Sequence, residues 1–338
     1  MPLIGQQTWR FDSKPVLLGT GAIVGPKEGQ GPLAMDFDEI NEDSYFGQDS
    51  WEKAERRFLE SAVEIAMRKA NVTSEQIDVL YAGDLLNQII TANFAARTLA
   101  VPFLGLFGAC STSMEGLALA AMTVDSGFAK HALAATASHN STAERQFRYP
   151  TEYGGQKPPS SQCTVTGGAA ALVGKTGLGP RITHATIGKV VDLGIKSPFE
   201  MGAAMAPAAA DTILCHFQDT GRTPEDYDLI VTGDLSRVGL PLAVELMEEQ
   251  GLYLGDKIKD CGILIFDPDQ PEVFSGGSGC ACCGVVTYGH LMRRMQQGEL
   301  GRILVCATGA LLSPLSSQQG ESIPCVAHAV VIERGSGA

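Results

Sequence analysis

Glu75-Gln76-Ile77-Asp78-Val79-Leu80-Tyr81-Ala82-Gly83-Asp84-Leu85 returns later in the chain as Glu225-Asp226-Tyr227-Asp228-Leu229-Ile230-Val231-Thr232-Gly233-Asp234-Leu235. Glu, Asp, three apolar positions, Gly, Asp and Leu recur in the same places. Each copy reads as a helix end, a turn, a short buried strand and a Gly-Asp exit. Two further pairs follow in the same order: Lys130–Thr136 with Gly301–Ala307, and Gly168–Val173 with Val326–Val331. Three matched strands in register predict an internal duplication, with halves at 1–178 and 179–338. Helical tracts at 50–70, 113–128 and 240–250 alternate with these strands, which is an α/β pattern. The strands are continuous apolar runs rather than alternating ones, so both faces of each sheet should be covered.

The rest of the composition narrows the class. The chain has 338 residues, 44% hydrophobic and 19% charged, which suits a soluble globular α/β protein. A net charge of −13 excludes broad binding to a phosphate backbone, so no nucleic-acid partner is expected. No run approaches the roughly eighteen apolar residues of a membrane span. The N-terminus lacks a basic-then-apolar leader pattern. The chain is therefore expected to be made in the cytosol and to meet a membrane only through partner proteins. Nine cysteines fit a reducing compartment. Cys280-Ala281-Cys282-Cys283 contains a C-x-x-C match, but no second pair and no His-x-x-x-His follows. Packing against a Gly-rich turn is expected there, and no metal. Leu17-Leu18-Gly19-Thr20-Gly21-Ala22-Ile23-Val24-Gly25 has a G-x-G, but Gly25-Pro26 breaks the chain where a helix should begin. It reads as a strand and turn.

The chemistry centres on Gly105-Leu106-Phe107-Gly108-Ala109-Cys110-Ser111-Thr112-Ser113-Met114-Glu115-Gly116, where an apolar run turns through Ala-Cys into a helix. A thiol near a helix N-terminus meets unpaired N–H groups and the positive end of the macrodipole, which favour a thiolate or a bound anion. Nucleophilic use of Cys110 further requires a base and an oxyanion donor.

A duplicated α/β chain with Gly-Ala-Cys-Ser-Thr-Ser at a strand-to-helix turn resembles the thiolase superfamily, especially its β-ketoacyl synthase III-like branch. Thr166-Gly167-Gly168-Ala169-Ala170-Ala171-Leu172-Val173-Gly174 is similar to the strand that closes the first half in that family. The resemblance implies a five-layer α-β-α-β-α sandwich of two βαβαβ halves, with the Cys at a shared central site. It also implies a His partner within Val231–Ser236 and an Asn partner within Ser275–Cys280. This chain has Gly233-Asp234 at the first place and Gly277 at the second. Both partners are missing, and a carboxylate beside the thiol disfavours its ionisation. His139, after the Leu133–Ser138 strand, and His184, at the start of the second half, are the histidines placed to line a central cavity.

Within that superfamily the chain resembles the stage V sporulation protein AD family of spore-forming Firmicutes. The segments that carry it include Tyr81–Gln88, Leu106–Glu115, Ser138-His139-Asn140, Glu144–Pro150 and Met201–Asp211. The resemblance implies a non-catalytic protein that binds dipicolinic acid or its calcium chelate and supports uptake into the developing spore. It further implies integral membrane partners from the same operon and a peripheral place at the spore inner membrane. No cofactor is expected beyond that ligand. A flat dianion needs donors on both sides of an apolar slot. The expected ligand-binding residues are Cys110, Ser111, Asp84, Ser138, His139, His184, Asp234, Gly277 and Ser278, with Arg145, Arg148 and Lys189 as candidate cations. Asp84 and Asp234 are pseudo-equivalent, and each has a plain alternative role in capping the next helix or turn. Two other functions stay open: a Cys110-dependent acyltransferase, and a purely structural subunit of a membrane complex. Thiolase-fold proteins generally dimerise, which by analogy places a homodimer contact on Ala132–Ser138.

Overall fold

The computed structural model describes residues 2–147 and 157–335. A short hairpin, Leu3–Ile4 (β1) and Thr8–Arg10 (β2), leads into Val16–Val24 (β3) and the two-residue Glu39–Ile40 (β4). Helix Trp51–Ala70 (α1) follows. Ser50 starts it as N-cap, accepting the Lys53 N–H at 3.4 Å, and left-handed Asn71 stops it. Then come Val79–Gly83 (β5), Ile90–Leu99 (α2), Phe103–Gly105 (β6), Thr112–Asp125 (α3), His131–Ser138 (β7) and Asn140–Phe147 (α4). Cys163–Thr164 (β8) and Gly167–Gly174 (β9) complete the first set.

The second set repeats the order: Arg181–Ile187 (β10), Met201–Thr220 (α5), Leu229–Thr232 (β11), Ser236–Glu249 (α6) and Ile258–Asp260 (β12). After Gly277–Ser278 (β13) a helical run spans 280–296, with a π-helical stretch Val286–Leu291 at its middle. Arg302–Ala310 (β14) and Cys325–Glu333 (β15) end the chain's regular structure.

The strands lie in the order β12-β11-β14-β15-β10-β3-β9-β7-β5-β6. Read outward from the centre, β3-β9-β7-β5-β6 and β10-β15-β14-β11-β12 have the same sequence of roles. The two runs meet where Val16 of β3 pairs with Arg181 of β10. All three strand pairs matched in the sequence occupy matching places: β5 with β11, β7 with β14, and β9 with β15.

Alternate residues of each strand serve opposite layers, as the two-residue period of a strand requires. In β14, Ile303, Val305 and Ala307 face a central core with Met114, Leu117 and Ala121 of α3 and with Ala281 and Val285. Leu304 and Cys306 face an outer core with Ala209, Ile213 and Met247 of α5 and α6. On the other side, Leu133 and Ala135 of β7 pack under Phe58, Ala62 and Ala92 of α1 and α2. The result is the five-layer α-β-α-β-α arrangement, with α3 and the 280–296 run as the middle layer.

One expectation fails here. β7 cannot present a free edge for a partner subunit, because it is hydrogen-bonded along its length to β5 on one side and β9 on the other. The open edge of that half is β6, where Leu104 is exposed. Among the described residues no helix is long and apolar enough to cross a membrane.

Candidate functional site

Cys110 stands in a single 3-10 turn, Ala109–Ser111, that feeds directly into α3. Ala109 holds φ at +49°, a left-handed conformation that costs a non-glycine residue energy and that recurs at functional turns. The turn closes on itself. The Ser111 hydroxyl donates to the Gly108 carbonyl at 2.6 Å. The Thr112 hydroxyl donates to the Ala109 carbonyl at 2.7 Å and accepts the Gly108 N–H at 3.1 Å. The Ser111 hydroxyl, expected to meet a ligand, is therefore spent within the turn.

The thiol faces β13. That short strand pairs in parallel with β8, Thr164 beside Ser278 and Cys163 beside Gly277. The two-residue period turns Ser278 toward Cys110, with its hydroxyl oxygen 4.0 Å from the sulfur. Gly277 points the other way, where a side chain would meet Ile265, Phe266 and Cys282. The residue opposite the thiol is thus Ser278, and Gly277 is packing.

Behind Ser278 stands Asp234. Its Oδ2 accepts the Ser278 hydroxyl at 2.9 Å and the Gly279 N–H at 3.1 Å, and its Oδ1 accepts the Thr308 hydroxyl at 2.6 Å. Gln162 anchors the same turn, its Nε2 donating to the Asp234 carbonyl at 2.5 Å and to the Ser236 hydroxyl at 3.1 Å. Burial pushes the Cys110 thiol well above its ordinary range, and the Asp234 carboxylate pushes it further. Burial also raises Asp234 itself, against four hydrogen bonds that favour its charged form. The helix N-terminus does not win: the thiol is held protonated.

A cavity opens onto this thiol. Leu85, Phe107, Phe147, Met201 and Leu312 give it apolar walls, and Cys110, Thr164 and Ser278 give it a polar end. Among the described residues no cation and no histidine lines it. Its chemistry is that of a pocket for a largely apolar body with a few hydrogen-bonding groups at one end.

Comparison with known proteins identifies the family. A family model described as Stage V sporulation protein AD (SpoVAD) matches residues 5–333. Stage V sporulation protein AD of Bacillus subtilis (strain 168) is 57% identical over 338 residues, covering 100% of both chains. The chain belongs to the stage V sporulation protein AD family. Solved structures of similar fold include 3-oxoacyl-[acyl-carrier-protein] synthase III from Aquifex aeolicus VF5, at TM-score 0.58 and 15% identity over 94% of this chain and 99% of that one. A single-substitution variant of Xanthomonas campestris OleA reaches TM-score 0.63 at 16% identity over 98% of each chain. Similarity at that level speaks for the thiolase-like fold alone.

In this SpoVAD family member the other expected ligand residues are dispersed. Ser138 sits at the end of β7, donating to the Val165 carbonyl at 2.7 Å and accepting the Ala281 N–H at 3.1 Å, so it ties the 280–296 run to the sheet. His139 is locked: its Nε2 donates to the Ser44 carbonyl at 2.8 Å while Nδ1 accepts the Ser141 N–H at 3.1 Å. That tautomer is neutral, and burial lowers its pKa. Asp84 accepts the Leu86 and Ala92 N–H groups at 2.8 Å each, which is the capping role. His184 is not at this site at all; it lines a separate cavity with Arg222 and Arg302. Arg145 is paired with Glu52 over Trp51, and Lys189 with Asp211 at 2.8 Å. Arg148 lies outside the described residues.

Cys280, Cys282 and Cys283 are buried free thiols in the first turns of the 280–296 run. Cys280 donates to the Ala109 carbonyl at 3.0 Å, so it braces the turn that carries Cys110. Among the described residues no three His, Cys, Asp or Glu side chains are grouped to hold a metal.

Two site residues carried no usable signal in the sequence. Thr308 lies mid-strand in β14, where a lone Thr is unremarkable. Asp260 performs in the second half what Asp84 does in the first, accepting the Leu235 and Ser236 N–H groups at 2.8 and 2.9 Å. With those groups taken, Asp234 is free to turn inward to Ser278. The pseudo-symmetry of Asp84 and Asp234 is therefore one of sequence position, not of role.

Proposed function

We propose that this chain is a non-catalytic thiolase-fold protein of sporulation. It binds dipicolinate, or its calcium chelate, in the cavity at Cys110 and supports uptake into the developing spore. On this reading it works as a peripheral component at the spore inner membrane, with integral membrane proteins of the same operon, and as a homodimer.

The observation that carries the reading is the environment of the thiol. Acyl transfer from a thioester needs a thiolate and a base to make it. Here the groups beside the thiol are Ser278 and, behind it, Asp234 rather than an imidazole, and the buried carboxylate opposes the negative charge. What remains of the acyl site is a pocket whose apolar walls suit the ring of such a ligand and whose polar end, at Cys110, Thr164 and Ser278, suits one carboxylate. Family membership favours a role in sporulation over one in lipid synthesis.

The test is calorimetric titration of the pure protein with dipicolinate, with and without calcium, in wild type and in Cys110→Trp, whose indole fills the cavity. The expected result is a saturable class of sites that wild type has and a folded Cys110→Trp protein lacks. An unchanged stoichiometry in that variant overturns the reading. So does a covalent acyl adduct on Cys110 after incubation with acyl-thioesters, seen by intact mass.

A further inference from the structure

The cation-rich cavity of this protein is not the one at Cys110. β14 begins at Arg302 and ends at Ala310, and Ala310 lines the Cys110 cavity. At about 3.3 Å per residue the two ends stand roughly 26 Å apart. At the Arg302 end lies a second open cavity. Arg10 reaches it from the end of β2, Lys14 from the turn before β3, Arg222 from beyond the end of α5, and Arg302 from the start of β14.

The charge balance there is opposite to that of the whole. The chain carries a net −13, yet among the described residues these four cations meet only two carboxylates in the cavity wall, Asp12 and Glu333. Asp12 takes Arg10 at 3.2 Å. A single oxygen of Glu333 is shared by Arg222 at 3.3 Å, Arg302 at 2.9 Å and the Thr183 hydroxyl at 3.2 Å. Each guanidinium has five N–H donors in a planar fork. Arg222 also donates to Tyr227 Oη at 3.1 Å, and Arg302 to the Asp226 carbonyl at 2.8 Å. Those bonds leave donors over on both forks, at the wall of a hollow.

His184 lies in the same field. It lines the same cavity, with its Nδ1 3.0 Å from the Thr183 hydroxyl. Burial lowers its pKa most; Arg222, Arg10 and Arg302 lower it further, bringing it to about 4 against the opposing pull of Glu333. A surplus of positive charge held in a concave, partly dehydrated place is how proteins concentrate small anions, and Arg forks match carboxylate and phosphate oxygens two at a time.

We propose that this basal cavity is a second ligand site, which takes a small dianion through Arg222, Arg302, Arg10 and Lys14. The shared chemistry is two anionic oxygen groups within one guanidinium span of each other, whether on a dicarboxylate or on a phosphate. The site rests on charge and geometry at the base of the sandwich, and it stands whether or not the Cys110 cavity binds.

The experiment uses the full chain carrying Cys110→Trp, so that the upper cavity is blocked. Dipicolinate and inorganic phosphate are titrated in separate arms at low salt. One class of sites is expected to persist, weakened at least tenfold by Arg10→Glu or Lys14→Glu. Both positions are at the rim, and their folding is checked by circular dichroism. Arg222→Gln with Arg302→Gln should abolish binding, and preference between the two probes identifies the ligand type. No binding of either probe in the Cys110→Trp protein overturns the proposal. So does residual binding that Arg10→Glu and Lys14→Glu leave unchanged. Failure of the Cys110 reading shows differently, as equal stoichiometry with and without Cys110→Trp.

Discussion

Cys110 is caught between two opposed influences. The start of α3 favours negative charge on its sulfur, by roughly 0.3–1 kcal/mol for an exposed site. Burial and Asp234 oppose it and dominate. Iodoacetamide at pH 8 should therefore modify Cys110 far more slowly than a free cysteine, by peptide mass spectrometry. Asp234→Asn removes the carboxylate while leaving an oxygen for Thr308, so it should shift the pH–rate profile of that modification to lower pH. An unshifted profile would mean that Asp234 has no hold on the thiol. The sequence disclosed that the family's His and Asn partners were gone, because Gly233-Asp234 and Gly277 are plain in the text. It did not disclose that Ser278 faces the thiol. That depends on which way a two-residue strand presents its side chains, and a one-residue shift exchanges the faces. His184 was misplaced for a related reason: strand position fixes a face, but not which end of the sandwich a side chain serves.

At the scale of elements, α1 rides on the sheet with almost no clearance. A Cβ at Gly168 of β9 would fall 2.2 Å from the Phe58 carbonyl oxygen, against helix backbone that cannot yield cheaply. Gly168→Ala should cost about 1–3 kcal/mol of stability by overpacking. Gly116, inside α3, is the contrasting case, since its Cβ would meet nothing nearer than Ala134 at 3.5 Å. Gly116→Ala should be neutral or stabilise by up to about 1 kcal/mol through helix propensity. Urea unfolding of the two variants distinguishes them, and equal losses would refute the close-approach argument. The repeated strands were legible because strands buried on both faces are apolar throughout, and because β5 and β11 share a Gly-Asp exit, a pattern local enough to read in one dimension. The pairing of β7 was not, since Ala132–Ser138 is equally apolar as an edge or an interior strand. Which neighbour covers an edge is settled by the return of β9 from much later in the chain.

For the whole molecule, stability against pH is set by two groups of buried side chains that pull in opposite directions. Burial lowers His184 and His328 to about 4 and His216 to about 3. Folding excludes their protons, so their contribution is present above the ordinary pKa of about 6.5 and is lost as pH falls through the lowered values. Burial raises Glu28 to about 7, and Asp84 and Asp260 to about 6. Folding retains their protons, so their contribution is present at low pH and is lost as pH rises through those values. The two sets overlap between about pH 4 and 7 and largely offset each other. Removing one member should expose the imbalance. Glu28 accepts the Thr166 N–H at 2.9 Å through Oε1, while Oε2 is buried without a partner. A glutamine at this position therefore mimics the protonated acid and does not titrate. Between pH 5 and pH 8 the stability of Glu28→Gln relative to wild type should rise by about 2.5 kcal/mol, the free energy wild type loses as Glu28 ionises. Urea denaturation across that range measures it. Parallel curves for the two proteins would show that Glu28 ionises normally in the fold and that the offset lies elsewhere.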